Sequence, residues 1–403
     1  MSTRAPGPTW PVPRLPVFGW QAWQGARAVD TPCMLDLPNC HLTTSGRASI
    51  ALALQVLGVH ADEPVLLPSY HCPTMVAPAA ALGAQPYFYP VDDHGTPDLD
   101  WLSTQDLRGA RVMLAAHFFG LPQPMARIRG WCNERGIALI EDCAHALFGA
   151  SDGQPIGSWG DVAIGSLTKF LPVPEGGCLV LNHGQRPPRL SGCGLRTQAK
   201  MLLDIVEEGA RHGRLGMAGR AFTAPLDALR ALRTRAPTPA PGPEAPNAQA
   251  AAADFGIDMV LATRQLSWGS RALAMRLPRQ RIVEQRRRNH ALLTRGLLGI
   301  EGVAPLLPEL PPGSAPYVLP IWVHQPDPGY QALRAERIPV FRWDRLWPTV
   351  PDLPRDTGKN WSHHVIQLAC HQDLLPHDID RMLSAVRRHL ASSDPTLPFR
   401  RLT

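Results

Sequence analysis

Residues 160–181, GDVAIGSLTKFLPVPEGGCLVL, carry the pattern from which the fold follows. Apolar runs at 161–165 and 177–181 have the length of buried strands. Between them lie Lys169, two prolines and a glycine pair, which continue neither helix nor strand. Just upstream, IALIEDCAHA at 137–146 repeats the arrangement, with a strand at 137–141 that ends in acid. Outward from this centre, strands are predicted at 64–68, 86–91 and 111–117, and helices at 47–57, 73–82 and 124–135. Short apolar strands alternating with longer helical patterns are the mark of a mostly parallel sheet covered by helices, an α/β fold.

Downstream the pattern changes. Residues 190–235 read as mainly helical, and APTPAPGPEAPNAQAAAADFG follows, rich in Pro and Ala without apolar periodicity. That stretch predicts an extended insertion or linker at 236–258. Beyond it come a helix-prone stretch at 271–298, strands at 317–323, 339–343 and 365–368, and a closing helix. The expected organisation is an irregular N-terminal arm (1–30), a large α/β domain (31–235), the linker, and a smaller α+β domain (259–403). A length of 403 residues supports two such cores, and there is no internal repeat.

Composition excludes several classes. The net charge of +6 is spread along the chain and forms no basic arm, so no nucleic-acid partner is expected. The densest cluster, Arg286, Arg287 and Arg288, falls on a predicted helix and is expected to face water or carboxylates. Eight scattered cysteines show no CxxC pair and no zinc spacing, so no metal is expected, and reduced thiols fit a cytoplasmic protein. No apolar run nears the ~20 residues that cross a bilayer. The proline-broken N-terminus lacks a signal-peptide core.

Of forty lysine and arginine residues only three are lysines, and one is Lys169. Where a positive charge suffices, this chain uses arginine. A primary amine in a Pro- and Gly-rich turn therefore points to amine chemistry, because only lysine sheds its proton and condenses with an aldehyde. A lysine that links to pyridoxal 5'-phosphate needs a carboxylate facing the ring nitrogen, and Asp142, just past a buried strand, is the candidate. The cofactor phosphate needs backbone N–H groups at a helix start, which Ser45, Gly46 and Arg47 provide in SGRASIALAL, with Ser166 as a further donor. His117 and His145 are each placed to contact the ring face or its phenolic oxygen, or else to be hydrogen-bonded core histidines. Cys72 and Cys143 read as packing residues beside the site; Trp322, Trp343 and Trp347 read as core.

SGRASIALAL (45–54), LLPSYHCPT (66–74), AAHFFGLP (115–122), LIEDCAHA (139–146), the lysine segment and QLACHQDL (367–374) together resemble the DegT/StrS family of pyridoxal-phosphate-dependent aminotransferases. The resemblance is strong over 42–182 and weak near the C-terminus. It implies a fold-type-I large domain with a seven-stranded sheet, a small C-terminal domain, and a homodimer with sites between subunits. By the same resemblance, Lys169 and Asp142 match the cofactor lysine and pyridinium partner, and Gly46 and Arg47 the phosphate-binding backbone. His145 stands where a glutamine contacts the ring hydroxyl. Cys72 stands where the family often has an aromatic that stacks on the ring, which implies weaker stacking, or stacking borrowed from His71 or His117.

Two features depart from the family pattern. The family serine five residues before the lysine is here Ile164, with Ser166 closer, and the family loop N-x-R-M-x-E-x-Q-A-A has no counterpart. The resulting expectation is transfer of an amino group, from glutamate by resemblance, to a keto substrate, foremost a nucleotide-linked keto sugar. The alternatives are a non-sugar ketone or amino acid as substrate, or a cofactor-binding regulator without turnover.

Overall fold

The computed structural model describes residues 11–26, 31–233 and 256–392. Most of the expected linker at 236–258, and residues 1–10 and 27–30 of the N-terminal arm, lie outside the described residues. Seven strands form the main sheet: β1 (Cys40–Thr43), β2 (Pro64–Pro68), β3 (Gln85–Tyr89), β4 (Val112–Ala116), β5 (Ala138–Cys143), β8 (Val162–Ser166) and β9 (Gly177–Leu181). A two-stranded ribbon, β6 (Ala150–Ser151) and β7 (Gln154–Pro155), separates β5 from β8. The sheet order is β1-β9-β8-β5-β4-β2-β3. β9 runs antiparallel to the other six strands.

That order places the carboxyl ends of β1, β2, β4, β5 and β8, with the amino end of β9, along one edge. The chain leaves β2 for β3 on one side and returns as β4 on the other, so the order reverses between β2 and β4. Ligands of open parallel sheets bind in the crevice at such a reversal. Strands buried on both faces must be apolar throughout, and β4, β8 and β9 are buried at every position.

A second, antiparallel sheet contains β10 (Val303–Pro305), β11 (Val318–Val323), β12 (Val340–Phe341) and β13 (Val365–Ala369), in the order β10-β11-β13-β12. The helix Pro376–Leu390 packs with it through Ile379, Met382, Val386 and Leu390. The helix Arg279–Leu297 joins two apolar cores, giving Ile282 and Val283 to the larger and Leu293 and Leu297 to the smaller.

Two sequence expectations change here. The helical stretch at 271–298 is two helices, Trp268–Arg276 and Arg279–Leu297; Pro278 forces extended backbone on Leu277 and breaks the run. The arginine triplet divides by helix face. Arg288 is exposed and Arg287 is half-buried, but Arg286 has 0% exposure and lies in the buried stripe with Ile282, Asn289 and Leu293. Its partners are backbone carbonyls and a glutamine, not water or carboxylates.

Candidate active site

At the reversal point lies a cavity of about 220 Å³ whose lining includes Gly46, Arg47, Cys72, His117, Asp142, His145, Ser166 and Lys169. All eight residues singled out in the sequence thus meet in one place. They come from five strand ends, and short motifs deliver each.

At the end of β1, Ser45 caps the helix Gly46–Val56 by accepting the Ala48 N–H at 3.1 Å. The N-terminal turn of that helix presents the positive end of its dipole. A Cβ built on Gly46 would lie 3.2 Å from Ser166 Cβ and 3.6 Å from Ser166 Oγ, so the missing side chain lets the serine hydroxyl approach the helix start. Ile164, at the position of the family serine, is buried within β8 and does not line the cavity. Behind the cradle, Gly177 abuts Ser45. A Cβ there would lie 2.7 Å from Gly46 N and closer still to the Ser45 carbonyl. The last glycine of the Glu-Gly-Gly that follows the lysine is therefore a packing requirement of the cradle.

Asp142 ends β5, and its Oδ1 accepts the Ala144 N–H at 2.8 Å. Burial pushes its carboxyl above the ordinary value, opposed by the Ala144 N–H, Lys169 and His117. Lys169 ends the single 3-10 turn Leu167–Lys169 after β8. Burial lowers its pKa, with Asp142 and Cys72 opposing, and its Nζ lies 5.2 Å from the centroid of the Tyr317 ring. Burial that pushes the amine down favours the neutral form that condenses with an aldehyde, and burial that pushes the carboxyl up is what a nearby cationic ring nitrogen would offset.

The two candidate histidines differ. His145 accepts the Phe119 N–H on Nδ1 at 3.3 Å, which fixes the tautomer with the proton on Nε2. Burial and then Lys169 hold its pKa well below the ordinary value, so the ring is neutral. His117 has both nitrogens engaged: Nδ1 accepts the Gln123 N–H at 2.9 Å and Nε2 donates to Glu141 Oε1 at 3.0 Å. What it offers the cavity is its ring. Glu141 also accepts N–H groups from Gly157, Trp159 and Gly160. Burial opposes its ionisation, but His117 and these amides outweigh burial and keep the carboxyl below its usual range. His117, Glu141 and Cys143 have ligand atoms within 4.8 Å of one another. As a metal site they are a poor fit, because the donors of His117 and Glu141 are spent and burial pushes the Cys143 thiol far up.

His71 cannot supply ring stacking. It donates from Nδ1 to Pro68 O at 2.9 Å, accepts the Trp347 N–H on Nε2 at 2.9 Å, and stacks on Phe88 away from the cavity. Trp343, expected as core, packs against the larger core and also lines the cavity just past β12, 5.3 Å from the His145 ring and 4.9 Å from that of Tyr70. No motif near Trp343 announces this. Its place depends on the second sheet being docked against the first.

The fold and cavity define a two-sheet α/β protein with a lysine and a carboxylate facing one pocket at the carboxyl ends of a mostly parallel sheet. Residues 35–198 match the model of the DegT/DnrJ/EryC1/StrS aminotransferase family. Among curated relatives, the GDP-perosamine synthase of Vibrio cholerae is 29% identical over 151 residues, 35% of this chain and 40% of that protein. The dTDP-4-dehydro-2,3,6-trideoxy-D-glucose 4-aminotransferase of Saccharopolyspora spinosa is 33% identical over 136 residues, 33% of this chain and 35% of that protein. The matched stretch thus spans less than half the length of these relatives. The fold extends further. The aminotransferase TlmJ of Streptoalloteichus hindustanus superimposes with a TM-score of 0.59 at 21% identity, over 89% of this chain and 88% of that one. PseC of Helicobacter pylori, involved in pseudaminic acid biosynthesis, reaches 0.60 at 13% identity, over 89% and 88%.

Proposed function

We propose that this protein is a pyridoxal-phosphate-dependent aminotransferase that moves an amino group, with glutamate as donor, to a nucleotide-linked keto sugar. The observation that carries the reading is the meeting of Lys169, Asp142, His145 and the Gly46–Ser166 cradle in one cavity. When bound, pyridoxal phosphate supplies an electron-withdrawing ring that stabilises negative charge on the carbon beside the nitrogen. The helix start at Gly46 and Arg47, with the Ser166 hydroxyl, binds the phosphate. Asp142 would hold the ring nitrogen in its protonated form, and that cation would offset the burial that raises the carboxyl. His145 donates from Nε2 to the ring oxygen, and His117 offers its ring face. Lys169 would hold the aldehyde and serve as the base that takes the proton from the donor carbon. A pKa lowered by burial suits it to that task.

A cavity of about 220 Å³ falls below the ~300–1,000 Å³ of typical ligand pockets. That supports space for the cofactor within one chain and an acceptor site completed by a second copy in a cytoplasmic homodimer. Relatives of similar identity point to the acceptor class. Their names specify dTDP- and UDP-linked dehydro sugars and, in the L-glutamine-dependent enzyme of Streptomyces kanamyceticus, an inosose.

The test is the visible spectrum of the purified protein mixed with pyridoxal phosphate. Wild type is expected to develop the absorbance of a lysine-linked cofactor, and glutamate to bleach it. Lys169→Ala should lose both the band and at least about 10³-fold in turnover. A band that survives Lys169→Ala would refute the assignment. A screen of keto sugars and an inosose then identifies the acceptor.

A further inference from the structure

Lys169 is held from behind as well as faced from the front. At the end of its single helical turn, Phe170 N–H and Leu171 N–H both return to Leu167 O, and the carbonyls of Lys169 and Phe170 point onward. Arg286 Nη2 donates to Lys169 O at 2.6 Å, and Gln372 Nε2 donates to Phe170 O at 2.8 Å. The two side chains are themselves joined, Arg286 Nε donating to Gln372 Oε1 at 2.8 Å. Arg286 Nη1 also donates to Pro316 O and Tyr317 O, and its guanidinium lies 4.4 Å from the Phe170 ring centroid. Arg281 Nη2 in turn fixes Gln372 O at 3.0 Å.

Arg286 is fully buried, and every hydrogen-bond partner named here is neutral. Burying a guanidinium is costly, and burial lowers its pKa to about 10. A neutral residue could fill the space, so a cation kept at that cost implies a task that needs a rigid fork of donors. The fork grips the turn that carries the lysine. Its other attachments belong to the second sheet: Tyr317 precedes β11, and Gln372 lies in the HQD turn after β13, the part of QLACHQDL that the cavity does not use.

We infer that Arg286, bridged by Gln372, is a positioning residue for Lys169: it clamps the lysine's main chain and makes the docking of the second sheet a condition for aiming Nζ into the cavity. This rests on reading Lys169 as the cofactor lysine. Covalent capture joins Nζ to the aldehyde carbon with loss of one water, and its rate depends on where Nζ points. Phosphate binding depends on the Gly46 cradle and does not.

Two ligands separate these. Pyridoxamine phosphate, which has no aldehyde, reports the cradle; pyridoxal phosphate reports the lysine. In Arg286→Lys, which keeps the charge and loses the fork, and in Gln372→Leu, pyridoxamine phosphate affinity should match wild type. The stopped-flow rate of covalent capture should fall roughly 10- to 100-fold, the effect of one charge-assisted hydrogen bond on orientation. Capture at the wild-type rate in both variants overturns the inference. So does equal loss of both ligands, or failure of both variants to fold, since either assigns the cluster to stability alone. If wild type itself captures no pyridoxal phosphate, the cofactor reading fails, whatever the variants do.

Discussion

The lysine turn has two sides built in different ways. The cavity side is assembled from strand ends by short motifs: Ser45-Gly46 after β1, Asp142 at the end of β5, and Lys169 followed by Gly176-Gly177 between β8 and β9. The opposite side is assembled from contacts distant in sequence, with Arg286 and Gln372 lying 117 and 202 residues from the carbonyls they hold. The front carries groups whose protonation is shifted by burial; the back carries a buried cation whose hydrogen bonds go to backbone carbonyls and a glutamine and whose plane lies on the Phe170 ring. Chemistry and aim are thus divided between the two sheets.

The front is most exposed to change at Gly177. Gly177→Ala would drive a methyl group into the Ser45 carbonyl and Gly46 N, where only backbone is available to yield. The expected result is a displaced cradle, with affinity for pyridoxamine phosphate reduced at least about tenfold and a stability loss of about 1–3 kcal/mol. Titration of the ligand, with thermal melting of the apoprotein, measures both. If affinity holds while only the melting temperature falls, the glycine serves β9 packing and not the cradle.

His71 ties the two sides together, because its Nε2 accepts the N–H of Trp347 from the second half of the chain. Burial lowers its pKa to about 4 from an ordinary value of 6.5. The folded state therefore binds fewer protons than the unfolded state between those values. The stability from neutral His71 is complete above pH ~6.5 and is lost as pH falls to ~4, by about 1.4 kcal/mol per pH unit and about 3 kcal/mol in all. Protonation would also set a new donor against the Trp347 N–H. His71→Gln should flatten the acid limb of a denaturation series by one proton's worth. His290 and His371, lowered to about 4 and about 3, and His145 and Glu141, also lowered, still contribute to the slope. An unchanged limb would show that the tie carries no acid sensitivity.

Most of the large sheet was legible because its strands are short apolar runs that end in polar residues, as in 137–146 and 160–181. The strand β1 was missed, since its four residues, three of them only half-buried, show no run long enough to detect. The cavity residues were legible for the same reason: each lies within a few positions of a strand end. Arg286 is not legible from apolar periodicity, because here an arginine occupies a core position between Ile282 and Leu293. The cavity role of Trp343 is not legible because an indole beside a strand has the same local pattern whether it only packs on a core or also walls a cavity.

Trp343 also bears on the gentlest test of the front. Cys72 leaves open the wall where the family has an aromatic ring, and its Sγ lies 3.1 Å from Thr74 Oγ1, at the mouth of the helix Pro73–Ala81. Trp343 and the His117 ring line the same cavity from other sides. If the cofactor ring stacks on neither, Cys72→Phe supplies a missing face, and cofactor affinity should rise about 2- to 10-fold, the worth of one aromatic contact. If Trp343 or His117 already covers that face, the added ring competes for the same space, and affinity should stay level or fall. Pairing the substitution with Trp343→Ala separates the cases. A gain that appears only in the double variant means that the second sheet supplies an aromatic wall to the cavity as well as the clamp behind the lysine.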